Sequence, residues 1–257
     1  MDYLNMPVDE VKKIVLGMDL NNKKKAIDDL ECDSRRGIIN LVKRLRKEIE
    51  DHNIEIERIL KLKEYEYKYF KKGAKYIAGI DEVGRGPLAG PVYASAVIFD
   101  MDCIIEGIND SKKLSPQKRK ELYKEIKAKA LCYATGWCDE KTIDRINILN
   151  ATYEAMRQAI GKLSIKPQVI LVDAIRIPKI NIFQVPIVKG DALSFSIGAA
   201  SIVAKVERDE FMDELHKRYP VYNFASNKGY GTKEHIEAIK NYGPCPVHRK
   251  SFIRNIV

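Results

Sequence analysis

The sequence holds no hydrophobic stretch long enough to cross a membrane: its longest apolar runs, such as residues 197–204, fall far short of the roughly 20 residues that a spanning helix needs. Nor does it open with a secretory signal, because the acidic first residues are not followed by an apolar segment and a small-residue cleavage site. The cytoplasm is therefore the default location. Five cysteines (Cys32, Cys103, Cys132, Cys138, Cys245) form an odd set without any Cys-x-x-Cys pair, and the four histidines (His52, His216, His235, His248) are dispersed. Reduced thiols are expected and no soft-metal site. His216 and His235 fall in helical patterns, where a structural role is the expectation. Internal repeats and low-complexity segments are absent too. Negative charge is the scarcer sign, with 45 Lys and Arg against 36 Asp and Glu. A net charge of +9 suggests an anionic partner, since a basic face attracts phosphate backbones at long range.

What is present comes in two styles. With 257 residues, 45% of them hydrophobic, the chain can form one large domain or one domain with an appendage. Residues 1–72 are densely charged, have Pro7 as their one proline and no glycine after Gly37. Ile38, Leu41, Leu45, Ile49, Ile56, Ile59, Leu60, Tyr67 and Phe70 recur at three- and four-residue spacing, broken on that stripe by His52 and Lys63. This predicts a helical extension: a long amphipathic helix, preceded by a short one around residues 8–18, and closed by Gly73 as a left-handed cap.

From Lys75 the pattern changes. Residues 76–80 and 92–99 read as apolar strands joined tightly enough for an antiparallel pair, and 131–137 as a third strand. Ser115-Pro116 supplies an N-cap and a first-turn proline for a helix to about Lys129. Residues 139–163 carry a helical pattern, 169–172 a buried strand ending in Asp173, and 182–188 a further strand in which Pro186 suggests an edge. Helices over 194–219 and 232–241 complete the reading. The expected class is α/β, a mixed sheet flanked by helices.

Four acids share a position on this scheme. Asp81 and Glu82 leave the first strand, Asp173 ends the fourth and Asp191 follows the apolar run of the fifth. Side chains alternate along a strand, so one of the adjacent pair must point toward the body of the domain, where an uncompensated charge is costly. If strands one and four are neighbours, Asp81 and Asp173 come within about 5 Å. Such a cluster repels itself unless protons or hard cations intervene, and oxygen-only ligation favours Mg²⁺ or Mn²⁺. The plainer alternative is that strand-end aspartates cap turns. Residues 111–129 add a strongly basic segment. Carboxylates beside a basic surface argue for metal-assisted phosphodiester cleavage. The segment Gly84-Arg85-Gly86-Pro87-Leu88-Ala89-Gly90 is not a dinucleotide loop, being G-x-G-x-x-x-G before a strand rather than a helix. Its glycines would let backbone groups approach a ligand while Arg85 offers donors to phosphate, unless it is simply a hairpin turn.

In these residues the chain resembles the ribonuclease HII family. The likeness runs over about residues 75–253: Tyr76 through Asp81-Glu82-Val83-Gly84-Arg85-Gly86 to Pro91, then Asn109-Asp110-Ser111-Lys112-Lys113, the run ending in Asp173, and Lys189-Gly190-Asp191. It continues through residues 199–209, Asn227-Lys228-Gly229-Tyr230-Gly231 and His248 to Phe252. The resemblance implies a ribonuclease H-like fold, a five-stranded mixed sheet with helices and a small C-terminal helical portion, making 73–257 the catalytic domain behind the 1–72 extension. It implies Asp81, Glu82, Asp173 and Asp191 as catalytic carboxylates holding two Mg²⁺ or Mn²⁺ ions. Gly84, Arg85 and Gly86 would sense the 2′-hydroxyl at an RNA–DNA junction, and Tyr230 would pack on the next deoxyribose; the 2′-hydroxyl is what separates RNA from DNA. Ser111, Lys112 and Lys205 resemble phosphate contacts. The implied substrates are RNA–DNA hybrid and duplex DNA containing ribonucleotides, met by a monomer without any membrane. Type 3 enzymes carry Gly-Thr-Gly at the turn, so Arg85 favours type 2. Two rivals stand beside this: another ribonuclease H-like nuclease or transferase acting on DNA, and a basic nucleic-acid-binding module without catalysis.

Overall fold

A computed structural model describes residues 3–257. The chain parts into two compact units, Met1–Arg58 and Ile59–Val257. In the first lie α1 (Val8–Leu16), α2 (Leu20–Leu30) and most of α3 (Arg36–Leu62). Val11, Val15, Ala26, Leu30, Ile38 and Leu45 form its core. The helix α2 corrects the two-helix expectation: its polar start, Asn21 through Lys25, hides the apolar stripe, while Asp19 accepts from the Asn22 amide at 2.9 Å and opens it. The stripe that continued through Lys63 also divides, because α3 stops at Leu62 and α4 (Glu64–Phe70) begins afresh. Gly73 follows at φ +93°, a left-handed position.

The second unit is a five-stranded sheet in the order β3-β2-β1-β4-β5. Strands β1 (Ile77–Val83), β2 (Val92–Ile98) and β3 (Cys132–Cys138) run as an antiparallel meander. After α5 (Pro116–Lys129) before β3 and α6 (Glu140–Gly161) behind it, β4 (Val169–Asp173) returns parallel to β1, and β5 (Phe183–Ile187) parallel to β4 at the edge. The chain then forms α7 (Gly190–Leu193), α8 (Phe195–Arg218), α9 (Phe224–Asn227), α10 (Lys233–Tyr242) and α11 (Lys250–Ile253). Ser115, Asp139, Ser194 and Thr232 each accept an amide of the helix they precede, as N-caps do.

Strand alternation sorts the core. Ala78, Ile80, Ile170 and Val172 face α6 with Ile143, Ala155 and Met156. The opposite face meets α8, where a Cβ on Gly79 would run into the Ser196 backbone, so strand and helix touch backbone to backbone. Asp81, two residues on, shares that face and points at α8. The helix over 139–163 is interrupted rather than continuous: Asn147 sits at φ 65° and its side chain accepts from the Asn150 amide at 3.0 Å, capping the second half from within.

Candidate active site

The register of β1 and β4 ends on the pair Ile80–Val172, so Asp81 and Asp173 are the next residues along neighbouring parallel strands. Asp81 is 5% exposed and accepts from the Glu82 amide at 2.8 Å and from the Ser201 hydroxyl of α8. Burial, then the charge of Glu82, hold its carboxyl well above the ordinary range, and Asp173 adds to the effect. Glu82 is likewise raised by burial, against the pull of Arg85, whose guanidinium donates to it at 3.2 Å. The other Glu82 oxygen is buried without any partner.

Asp173 turns one oxygen to the Gly190 amide at 2.7 Å, which ties the end of β4 to the start of α7. That single-turn helix carries Asp191, whose carboxyl is raised by burial and by the charges of Asp110 and Asp173. Lys112, on a 3-10 turn capped by Asp110, places its ammonium 3.9 Å from Asp191. Burial opposes its charge, yet Asp191, Asp110, Asp81 and Asp173 together lift its pKa above the usual value. Ser111 is buried beside Ser201, their hydroxyls 2.9 Å apart. Thus Asp81, Glu82, Asp173, Asp191, Ser111 and Lys112 share one electrostatic neighbourhood. Among the described residues no three acid, His or Cys side chains close on a single cation point as they stand; each acid instead leans on its nearest donor. The donor set still fits hard divalent cations: it is all oxygen, short of protein counter-charge, and keeps one buried oxygen free.

Lys205 lies one turn of α8 beyond Ser201 and pairs with Asp209 at 2.6 Å, burial lowering its pKa. It lines a separate groove of mixed charge, where Arg119, Lys120 and Lys228 stand beside Asp209, Glu210 and Asp213, rather than the acid cluster.

Gly84, Arg85 and Gly86 occupy the turn after β1, with Gly84 at φ +89° and Arg208 where its Cβ would stand. Two arginines that lie within the segments of resemblance, with no role implied for them there, hold this turn. Arg249 donates to the carbonyl oxygens of Gly84 at 2.6 Å, Arg85 at 3.0 Å and Gly90 at 2.9 Å. Arg208 donates to Pro91 at 2.9 Å and Lys228 at 3.0 Å. Both are fully buried. Burial, reinforced by Arg208, brings the Arg249 pKa down to about 9. Tyr230 stands beside the turn, 42% exposed, its ring 3.8 Å from where a Gly86 Cβ would sit and 5.9 Å from the Arg208 guanidinium.

A chain of hydrogen bonds fixes Tyr230 from behind. The Cys245 amide donates to His248 Nδ1 at 3.0 Å, so that nitrogen is bare and Nε2 carries the proton toward His235 Nε2, 3.0 Å away. His235 Nδ1 then donates to the Tyr230 carbonyl at 2.9 Å. The chain closes with both rings neutral. Burial agrees, lowering His235 and, with its neighbour, taking His248 to about 4. The structural role expected of His235 therefore includes holding Tyr230.

Comparison with known proteins gives the same lineage at both ends of the chain. The family model for Ribonuclease HII matches residues 78–255, and that for the Ribonuclease HII N-terminal domain matches 7–70. Ribonuclease HII of Acetivibrio thermocellus is 48% identical over 253 residues, covering 98% of this chain and 99% of that protein. Ribonuclease HII of Clostridioides difficile is 50% identical over 250 residues, covering 97% and 98%. Among solved structures, ribonuclease H2 of Pyrococcus horikoshii superposes with a TM-score of 0.59 at 31% identity, over 70% of this chain and 96% of that one. The chain belongs to the ribonuclease HII family and is an endoribonuclease.

Proposed function

We propose that the protein cuts the RNA strand of RNA–DNA hybrids and nicks duplex DNA on the 5′ side of an embedded ribonucleotide, leaving 3′-hydroxyl and 5′-phosphate ends. The observation that carries this reading is the adjacency of four carboxylates, Asp81, Glu82, Asp173 and Asp191, the first, second and fourth under-compensated, to a glycine turn backed by an exposed tyrosine. In it, residues 73–257 are the catalytic domain and 1–72 a helical extension.

Asp81, Glu82, Asp173 and Asp191 would hold two Mg²⁺ or Mn²⁺ ions, which when bound supply an activated water and neutralise charge at the scissile phosphate. The chain's own residues do the selecting. With the Gly84 and Arg85 carbonyls taken by Arg249, the Gly84–Gly86 turn presents a fixed backbone face to the ribose, whose 2′-hydroxyl can accept from the turn's amides. Tyr230 offers a flat face to the following sugar, where a missing 2′-hydroxyl leaves room. Arg85, Ser111, Lys112 and the Lys205 groove contact phosphates and set the register of the duplex.

The test is a pair of duplexes identical except for one ribose. Cleavage immediately 5′ of the ribonucleotide, with the all-DNA duplex intact, is the expected result; equal cutting of both would make the protein a DNA-directed nuclease, and no metal-dependent product a binding module.

A further inference from the structure

Glu66 lies in α4, outside the span of the catalytic family model and within that of the N-terminal one. It is nevertheless 4% exposed, and one of its oxygens accepts three hydrogen bonds from a single turn of chain: Ser194 Oγ at 2.7 Å, Ser196 N at 2.9 Å and Ser196 Oγ at 2.6 Å. The other oxygen is buried with no partner. A carboxylate so placed costs several kcal/mol in order of magnitude unless its bonds repay it, so its geometry must secure something.

What it secures is the joint between α7 and α8. Ser194 donates its amide to Gly190 at 2.8 Å, closing α7, and its hydroxyl caps α8 by accepting from Ile197 at 3.3 Å. Asp191 rides on α7, which has four residues and no helical run of its own to stiffen it. Its tethers are the Gly190–Asp173 bond on one side and the Ser194 joint on the other. Lys63, just ahead of α4 and 2% exposed, donates to the carbonyls of Met101 and Cys103, anchoring α4 itself.

We propose that Glu66 is a positioning residue for Asp191: it clamps the α7–α8 joint so that the Asp191 carboxylate is held toward the other acids, making α4 a working part of the catalytic unit. The proposal rests on the reading of Asp191 as a metal ligand.

The experiment is Mn²⁺ binding to the full-length protein without substrate, followed by the electron paramagnetic resonance of free Mn²⁺ at a temperature where circular dichroism shows each variant folded. Glu66→Ala should raise the dissociation constant ~10-fold or more, the range that loss of a ligand-orienting partner produces. Glu66→Gln, which keeps an oxygen facing Ser194 and Ser196, should recover most of the affinity. If Glu66→Ala does not fold, Ser196→Ala removes part of the clamp with the carboxylate in place and should still weaken Mn²⁺ binding. Wild-type affinity in a folded Glu66→Ala, or in Ser196→Ala where that variant carries the test, overturns the proposal when Asp191→Asn binds Mn²⁺ more weakly. Unaltered binding in Asp191→Asn overturns the metal reading and this proposal with it.

Discussion

Around the acids, buried charge outruns its partners: Asp81, Glu82 and Asp191 all sit above their ordinary pKa because burial and mutual repulsion disfavour the ionised form, and one Glu82 oxygen meets nothing. Around the glycine turn the balance is reversed. Arg208 and Arg249 are as deeply buried, yet their donors are spent on carbonyls of the turn and its flanks, and the histidine chain behind Tyr230 closes with no spare proton. The difference separates two tasks within one cleft. The acid side is left for a ligand to complete, whereas the side proposed to read the sugar is finished in advance, its buried donors already paired with backbone carbonyls.

The largest effect expected from breaking this comparison is on turnover. Asp81→Asn should reduce kcat by on the order of 10³-fold, equivalent to ~4 kcal/mol of lost charge stabilisation, in single-turnover assays on a hybrid duplex. Because it removes a poorly compensated buried charge, the same variant should melt no lower than the wild type without metal. The finished side should answer in the opposite manner. Arg249→Ala strands three carbonyl oxygens and should cost ~3 kcal/mol, a drop of roughly 6–12 °C in the melting temperature by calorimetry.

A smaller effect sharpens the account of Tyr230. The folded state favours neutral His248, with a pKa of about 4, so the unfolded chain takes up the proton first as pH falls. The stability this supplies is complete above the ordinary histidine pKa of ~6.5 and is lost progressively toward pH 4. Thermal melts between pH 7 and 4.5 should show that slope, and His248→Gln should flatten it.

Much of this was legible in the residues. The sheet followed from apolar runs of strand length, Ser115-Pro116 marked the start of α5, and Pro186 marked β5 as the edge strand that it is. The acids stood out because each ended such a run. What stayed hidden has physical reasons. Arg208 sits in an otherwise mixed helix, where a charged residue ordinarily faces solvent, and only the turn folding back over α8 buries it. α7 is barely one turn long, too short for a helical pattern to repeat. Asn147 interrupts α6 because its side chain replaces a backbone bond, which no periodicity records. Glu66 looked like one more charge on a solvated face, since its serine partners lie 128 and 130 residues away.

The central claim is that separate strands and a one-turn helix bring oxygen ligands to divalent ions at one point. Anomalous diffraction from crystals soaked in Mn²⁺ tests it most directly. Manganese peaks among Asp81, Glu82, Asp173 and Asp191 are the predicted result; bound manganese elsewhere, with those four carboxylates left empty, would contradict it.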